Sequence, residues 1–239
     1  MPHSADTGTP MIPQDSRRPL ASPSDAMSAR DSAAILSGKR LWRRWFALVT
    51  LGELLGFLTP SVVGALVGDR VDVLAAAALL VAGGVEGVTL GWFQARALRP
   101  ALPGLSSARW VAATALGAVV AWAVGALFVV TDGLSGWGGL GQVAGFATGG
   151  LVILLSIGVA QWVVLREHAD RAARWIPANV VAWLAGLTAF TAFTSPLWQP
   201  GQAVAVVALI GVVGGMLMAA AMAAVTGGFL VGLVGKSER

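Results

Sequence analysis

Apolar residues along this chain fall neither in strict alternation nor in a one-sided helical stripe. They form six long, almost unbroken stretches, at roughly 45–67, 73–95, 110–131, 142–165, 175–195 and 203–234. At about 1.5 Å of rise per residue, each is long enough as a helix to cross a hydrocarbon core about 30 Å thick. A strand that buried one face would alternate instead. The pattern therefore predicts an all-α transmembrane bundle of six helices. The sixth stretch is longer than a perpendicular crossing needs, so it is expected to tilt or to break near Gly214 and Gly215.

The residues before the first stretch read differently. Residues 1–40 are rich in Ser, Pro, Asp, Ala and Arg, and no apolar run there would serve as a signal-peptide core. They are expected to be a disordered cytoplasmic tail, and Met27 is an alternative start. The chain thus divides into that tail, a six-span membrane domain over 41–235 and a short cytoplasmic end at 236–239.

Composition agrees and narrows the choices. Hydrophobic residues make up 56% and charged residues 12%, with a mean hydropathy of +0.75; a soluble domain is roughly a quarter charged. The absence of Cys excludes disulfides, thiolate metal sites and Cys nucleophiles. His3 and His168 are the only histidines, so neither a zinc site nor another cofactor is expected.

The sequence pI near 11.0 does not point to nucleic acid, because the cations flank the apolar stretches. One set of flanks carries Lys39, Arg40, Arg43, Arg44, Arg96, Arg99, Arg109, Arg166, Arg171, Arg174, Lys236 and Arg239, and the other carries Arg70. By the positive-inside rule, both termini and the second and fourth connections face the cytoplasm. Trp42, Trp45, Trp92, Trp110, Trp162 and Trp175 fall near that boundary, and Trp137 and Trp198 near the other, as an aromatic belt would.

The chain also repeats. Arg44-Trp45, Arg109-Trp110 and Arg174-Trp175 open the odd-numbered spans at intervals of 65 residues. The second and fourth spans end alike, with Gly91, Gln94, Leu98 and Arg99 matching Gly158, Gln161, Leu165 and Arg166. The unit is one helical hairpin, repeated at about 41–105, 106–170 and 171–235. All three hairpins begin and end on the same side, so a pseudo-threefold axis along the membrane normal is expected. The third copy is degenerate, with Gly228 near the glutamine position. Glycines four apart (Gly83, Gly87 and Gly91; Gly141, Gly145 and Gly149; Gly211 and Gly215) predict closely packed helix faces.

These endings, the Arg-Trp openings and the Glu86-Gly87 pair resemble a group of uncharacterised polytopic membrane proteins of bacteria, over most of residues 41–235. The resemblance implies a bacterial cytoplasmic membrane and the six-span topology. It supplies no activity and no catalytic residue.

Glu53 and Glu86 lie inside spans, where an ionised acid costs about 2.5–3.5 kcal/mol. Glu53 is eight residues past Trp45 and Glu86 eight before Gln94, so both sit about 12 Å in from the basic boundary. Either they form a proton-accepting or cation-coordinating pair, or each is protonated or hydrogen-bonded to Thr50, Thr89 or a backbone carbonyl and fixes helix packing. The other repeats hold Ala118 and Trp183 at the position of Glu53 and Ile153 at that of Glu86, so an acidic site would be lopsided. Gln94 and Gln161 are read as capping and register groups. Arg99, Arg166 and the other basic residues are candidate contacts for anionic lipid.

The string Gly133-Leu134-Ser135-Gly136 resembles the nucleophile motif of rhomboid-type proteases. Ser135 belongs to an outer loop and His168 to an inner one, so no base reaches it. His168, beside Glu167 and Asp170, reads as a solvated loop residue. The sequence thus favours a non-enzymatic membrane protein with a structural, sensory or partner-binding role. A small transporter or channel using Glu53 and Glu86 is the alternative. A lipid-modifying enzyme is a weaker one.

Overall fold

The computed structural model describes residues 23–68 and 72–234, with side chains from residue 37 onward. Six α-helices account for most of it: α1 (Pro23–Val67), α2 (Val73–Leu98), α3 (Ser107–Val130), α4 (Gly138–Leu165), α5 (Trp175–Thr194) and α6 (Val204–Val234). No strand occurs among the described residues. Every one of the six contains a segment long and apolar enough to cross a membrane, the first being Ser37–Val67. The chain is an integral membrane protein with six helical spans.

Two expectations need correcting. α1 opens at Pro23, so residues 23–40 are helical where a disordered tail was expected; residues 1–22, Arg70, Lys236 and Arg239 lie outside the described residues. α6 runs unbroken through Gly214 and Gly215. A break inside hydrocarbon would free backbone groups that no water can satisfy, which outweighs the weak helix propensity of glycine. At 31 residues α6 is about 46 Å long, so it fits a bilayer by tilting.

Local chemistry sets several boundaries. The Asp72 carboxylate accepts from the Ala75 N–H at 2.7 Å and caps α2, and Ser106 caps α3 in the same way. Between α3 and α4, Asp132, Gly133 and Leu134 all take left-handed backbone angles, an arrangement rare for leucine. Leu134 is held there by burial (2% exposed) against Gly145, where a side chain would leave it no room.

Each helix packs against its neighbours in sequence, and α1 also packs against α6, so the six close into a ring. Glycines allow the approach: a Cβ at Gly87 would stand 2.7 Å from the Ala115 Cα of α3, and Gly83 and Gly91 face the same helix. Lipid is as apolar as leucine, so such close contact, not the hydrophobic effect, holds spans together. Gly149 likewise meets Phe128 and Val124 of α3, while Gly141 and Gly145 pack on Trp137 and Leu134 of the preceding turn. Gly215 departs from the expected packing stripe: nothing stands within 4 Å of its missing side chain.

The densest core lies at the end of the ring where the basic residues cluster. Trp45, Trp110, Trp175, Leu98, Leu165 and Leu230 are all at most 1% exposed there. Three tryptophans expected in the aromatic belt are therefore interior residues; Trp92, Trp137 and Trp198, at 40% exposure or more, remain on the surface.

Candidate functional site

Two layers fill the ring, and the first is a buried polar knot. Trp110 Nε1 donates to Gln94 Oε1 at 3.1 Å, Trp175 Nε1 to Gln161 Oε1 at 2.8 Å, and Trp45 Nε1 to Thr226 Oγ1 at 2.9 Å. Each indole thus reaches from an odd-numbered helix to the later part of an even-numbered one. Gln161 Nε2 also donates to Gln94 Oε1 at 2.7 Å and to Thr114 Oγ1 at 2.9 Å. The Trp175 ring lies 5.7 Å from that of Trp45 and 6.1 Å from that of Trp110. α1, α3 and α5 are not neighbours in the ring, so their tryptophans meet across its axis and fill it.

The third indole is received by Thr226, while Gly228 faces a groove between α5 and α6. Gln94 and Gln161, expected as capping and register groups, accept from buried indoles. Arg99 and Arg166 are separated from them and exposed at the surface. Arg166 stands over the Trp162 ring at 5.3 Å and Arg96 over Trp92 at 4.7 Å.

The second layer is a cavity of about 350 Å³ with walls from all six helices. Glu53 and Glu86 both line it, Glu53 eight residues after Trp45 and Glu86 eight before Gln94, each about 12 Å from the knot. The remaining wall is apolar or aromatic, including Phe57, Trp122, Trp183, Phe190 and Met218. Trp122 Nε1 donates to Glu86 Oε2 at 2.8 Å. Glu53 has no hydrogen-bond partner among the described residues. Gly56 of α1 lies beneath Glu86, and a Cβ there would come within 3.1 Å of the Glu86 carbonyl oxygen.

The hydroxyls expected to serve the acids do not. Thr89 turns back onto the Val85 carbonyl at 2.9 Å, and Thr50 Oγ1 is buried without a partner. Trp122 was the residue missed. A tryptophan in mid-span, away from either interface, carries an N–H that must find an acceptor. That signal was available in the sequence.

Residues from several helices share surroundings. Glu86, Ile153 and Met218 line the cavity, as do Phe57, Trp122 and Leu187. Leu98, Leu165 and Leu230 are all buried beyond the knot.

The other candidates are peripheral. Ser135 begins a short 3-10 turn at one end of α4 and His168 follows the other end, separated by 28 helical residues, about 42 Å. His168 is not simply solvated: its Nε2 lies 3.0 Å from the Gly104 carbonyl oxygen and its Nδ1 3.1 Å from that of Val164, tying two loops together. Arg109, in the first turn of α3, makes paired hydrogen bonds to Glu167 in the loop after α4 at 2.6 and 2.7 Å. Those bonds hold the Glu167 carboxyl below its ordinary range, with the charges of Arg109, His168 and Arg166 adding to the effect. No group of three metal-binding side chains stands together among the described residues.

Fold and interior together define a six-span membrane protein whose helical ring encloses an acid-bearing cavity above a buried tryptophan knot. Comparison with protein families, with curated proteins and with solved structures finds no match to this chain.

Proposed function

We propose that the protein is a small, non-enzymatic membrane transporter that takes up a proton or cation at Glu53 and Glu86. The observation that carries this reading is that two acids from adjacent spans open into one cavity bounded by all six helices. Acids are costly within a bilayer and, where they occur, mark ion and proton paths. A packing role alone would leave both carboxyls closed in by neighbours, whereas Glu53 borders open space without a hydrogen bond.

The same proposal extends to orientation and symmetry. The excess of Lys and Arg sets the knot end toward the cytoplasm of a bacterial cell, in keeping with the resemblance. Anionic lipid then gathers around Arg96, Arg99 and Arg166, each such cation contributing about 1 kcal/mol near a charged surface. Three hairpins related by an axis through the cavity account for the shared surroundings of corresponding positions. With the axis filled by Trp45, Trp110 and Trp175, the cavity is closed toward the cytoplasm, and transport requires that layer to part.

The test is flux of protons, of alkali cations and of small organic cations in proteoliposomes, comparing the wild type with Glu53→Gln and Glu86→Gln at equal incorporation. Flux that falls at least about tenfold in either folded variant supports the reading. Wild-type liposomes as tight as empty ones under every gradient overturn it and leave the acids as packing groups.

A further inference from the structure

The cavity is far larger than an ion. Its volume of about 350 Å³ lies in the range of small-molecule sites. Its wall is also wrong for a bare metal ion. A cation such as Ca²⁺ replaces its water with six to eight oxygens, whereas this wall offers two carboxylates and otherwise aliphatic or aromatic side chains. Helical carbonyls are committed to the backbone.

What the wall does offer is negative charge beside aromatic surface. Trp122 holds Glu86 through its N–H and itself lines the cavity. Trp183 takes the position of Glu53 in the third hairpin and lines the same space, with Phe57 and Phe190 beside it. Aromatic faces attract cations whose charge is spread over carbon, and they recognise substituted ammonium groups in this way. Such ions shed water easily, so an apolar cavity is not a barrier to them, and their charge offsets the cost of an ionised carboxylate away from water.

We propose that the occupant is a small organic cation: an ammonium group set against Glu53 and Glu86, on an apolar body held by Phe57, Trp122, Trp183 and Phe190. The inference rests on the reading of this cavity as the protein's cation site and names the class of cation. Glu53, free of hydrogen bonds, is the group that meets the ammonium. Trp122 keeps Glu86 turned toward it.

The probe is radiolabelled benzyltrimethylammonium, measured at equilibrium on the full chain in lipid nanodiscs, with neopentylbenzene as the uncharged carbon analogue. The wild type is expected to bind it saturably, and the neutral analogue to compete poorly. Glu53→Gln weakens binding by at least about tenfold while Glu53→Asp, which keeps the charge, largely retains it. Trp183→Leu weakens it roughly two- to fivefold through lost cation–π attraction. The variants are compared by monodispersity and melting temperature, and if Glu53→Gln does not fold, Trp183→Leu and the neutral analogue still decide.

No saturable binding by the wild type, full displacement by neopentylbenzene, or unchanged binding in folded Glu53→Gln overturns the inference. Proton or alkali-cation flux that needs Glu53, without ammonium binding, overturns it while leaving the transporter reading intact. Charge-dependent ammonium binding without flux of any cation supports the ligand class and overturns transport. Neither binding nor flux overturns both.

Discussion

Trp122 of α3 donates its indole N–H to Glu86 of α2 at 2.8 Å, on the wall of the central cavity. The bond joins neighbouring spans through an acid that also faces open space. Glu86→Gln keeps an oxygen acceptor and removes the charge, so its melting temperature should stay close to that of the wild type. Trp122→Phe keeps most of the ring and loses the donor, with an expected cost of about 0.6 kcal/mol, the usual value for a hydrogen bond between spans. Unfolding of both variants in mixed micelles checks the order. A Glu86→Gln protein less stable than Trp122→Phe would contradict it.

The knot makes a larger demand. Gln161 accepts from Trp175 and donates to Gln94 and Thr114, and it is fully buried. Gln161→Leu removes three bonds and leaves the Trp175 N–H without an acceptor, so a loss of about 2 kcal/mol is expected. Thr226→Val, which strands the Trp45 N–H and removes one interhelical bond, should cost roughly a third of that. Equal losses in the two variants would show that the knot is not organised around Gln161.

The Arg109–Glu167 pair gives a pH signature. Because Glu167 is held below its ordinary value of 4.5 when folded, its contribution to stability is fully present above that value. It drains away as pH falls through the lower, folded-state value. The stability difference between wild type and Glu167→Gln should therefore be flat from neutral pH down to about 5 and shrink below that. Both side chains are about half exposed, so the difference is small and should fall further with added salt. A difference that grows on acidification would contradict the assignment.

Much of the architecture was legible because hydrocarbon permits few solutions. Length and apolarity alone locate all six spans, and observed ends fall close to the predicted ones, as at Val73, Leu165 and Val204. Glu53 and Glu86 were legible as a pair from their shared depth, and the cavity brings them together. What was hidden depends on which way a side chain points. Trp45, Trp110 and Trp175 have the spacing of belt residues, and only ring closure turns them inward to meet on the axis. Thr226 was missed for a related reason: an indole N–H asks only for an oxygen, and a threonine hydroxyl supplies one as well as a glutamine does. The cavity itself arises from six helices at once, with Gly215 and Ala121 leaving room where larger side chains would fill it, and no single stretch records that.

In the proposed transporter the cavity holds both acids and is closed toward the basic end by the tryptophan knot. The chain has no native cysteine, so single thiols report cleanly. Leu54→Cys, on the cavity wall, and Leu98→Cys, buried beyond the knot, are to be exposed to a membrane-impermeant maleimide from each side of sealed vesicles. The account predicts that Leu54→Cys reacts from the side opposite the basic loops, that the reaction slows when benzyltrimethylammonium is present, and that Leu98→Cys stays unlabelled from either side. A Leu54→Cys thiol that is inert from the far side, or that reacts from the basic side in the resting protein, would contradict it.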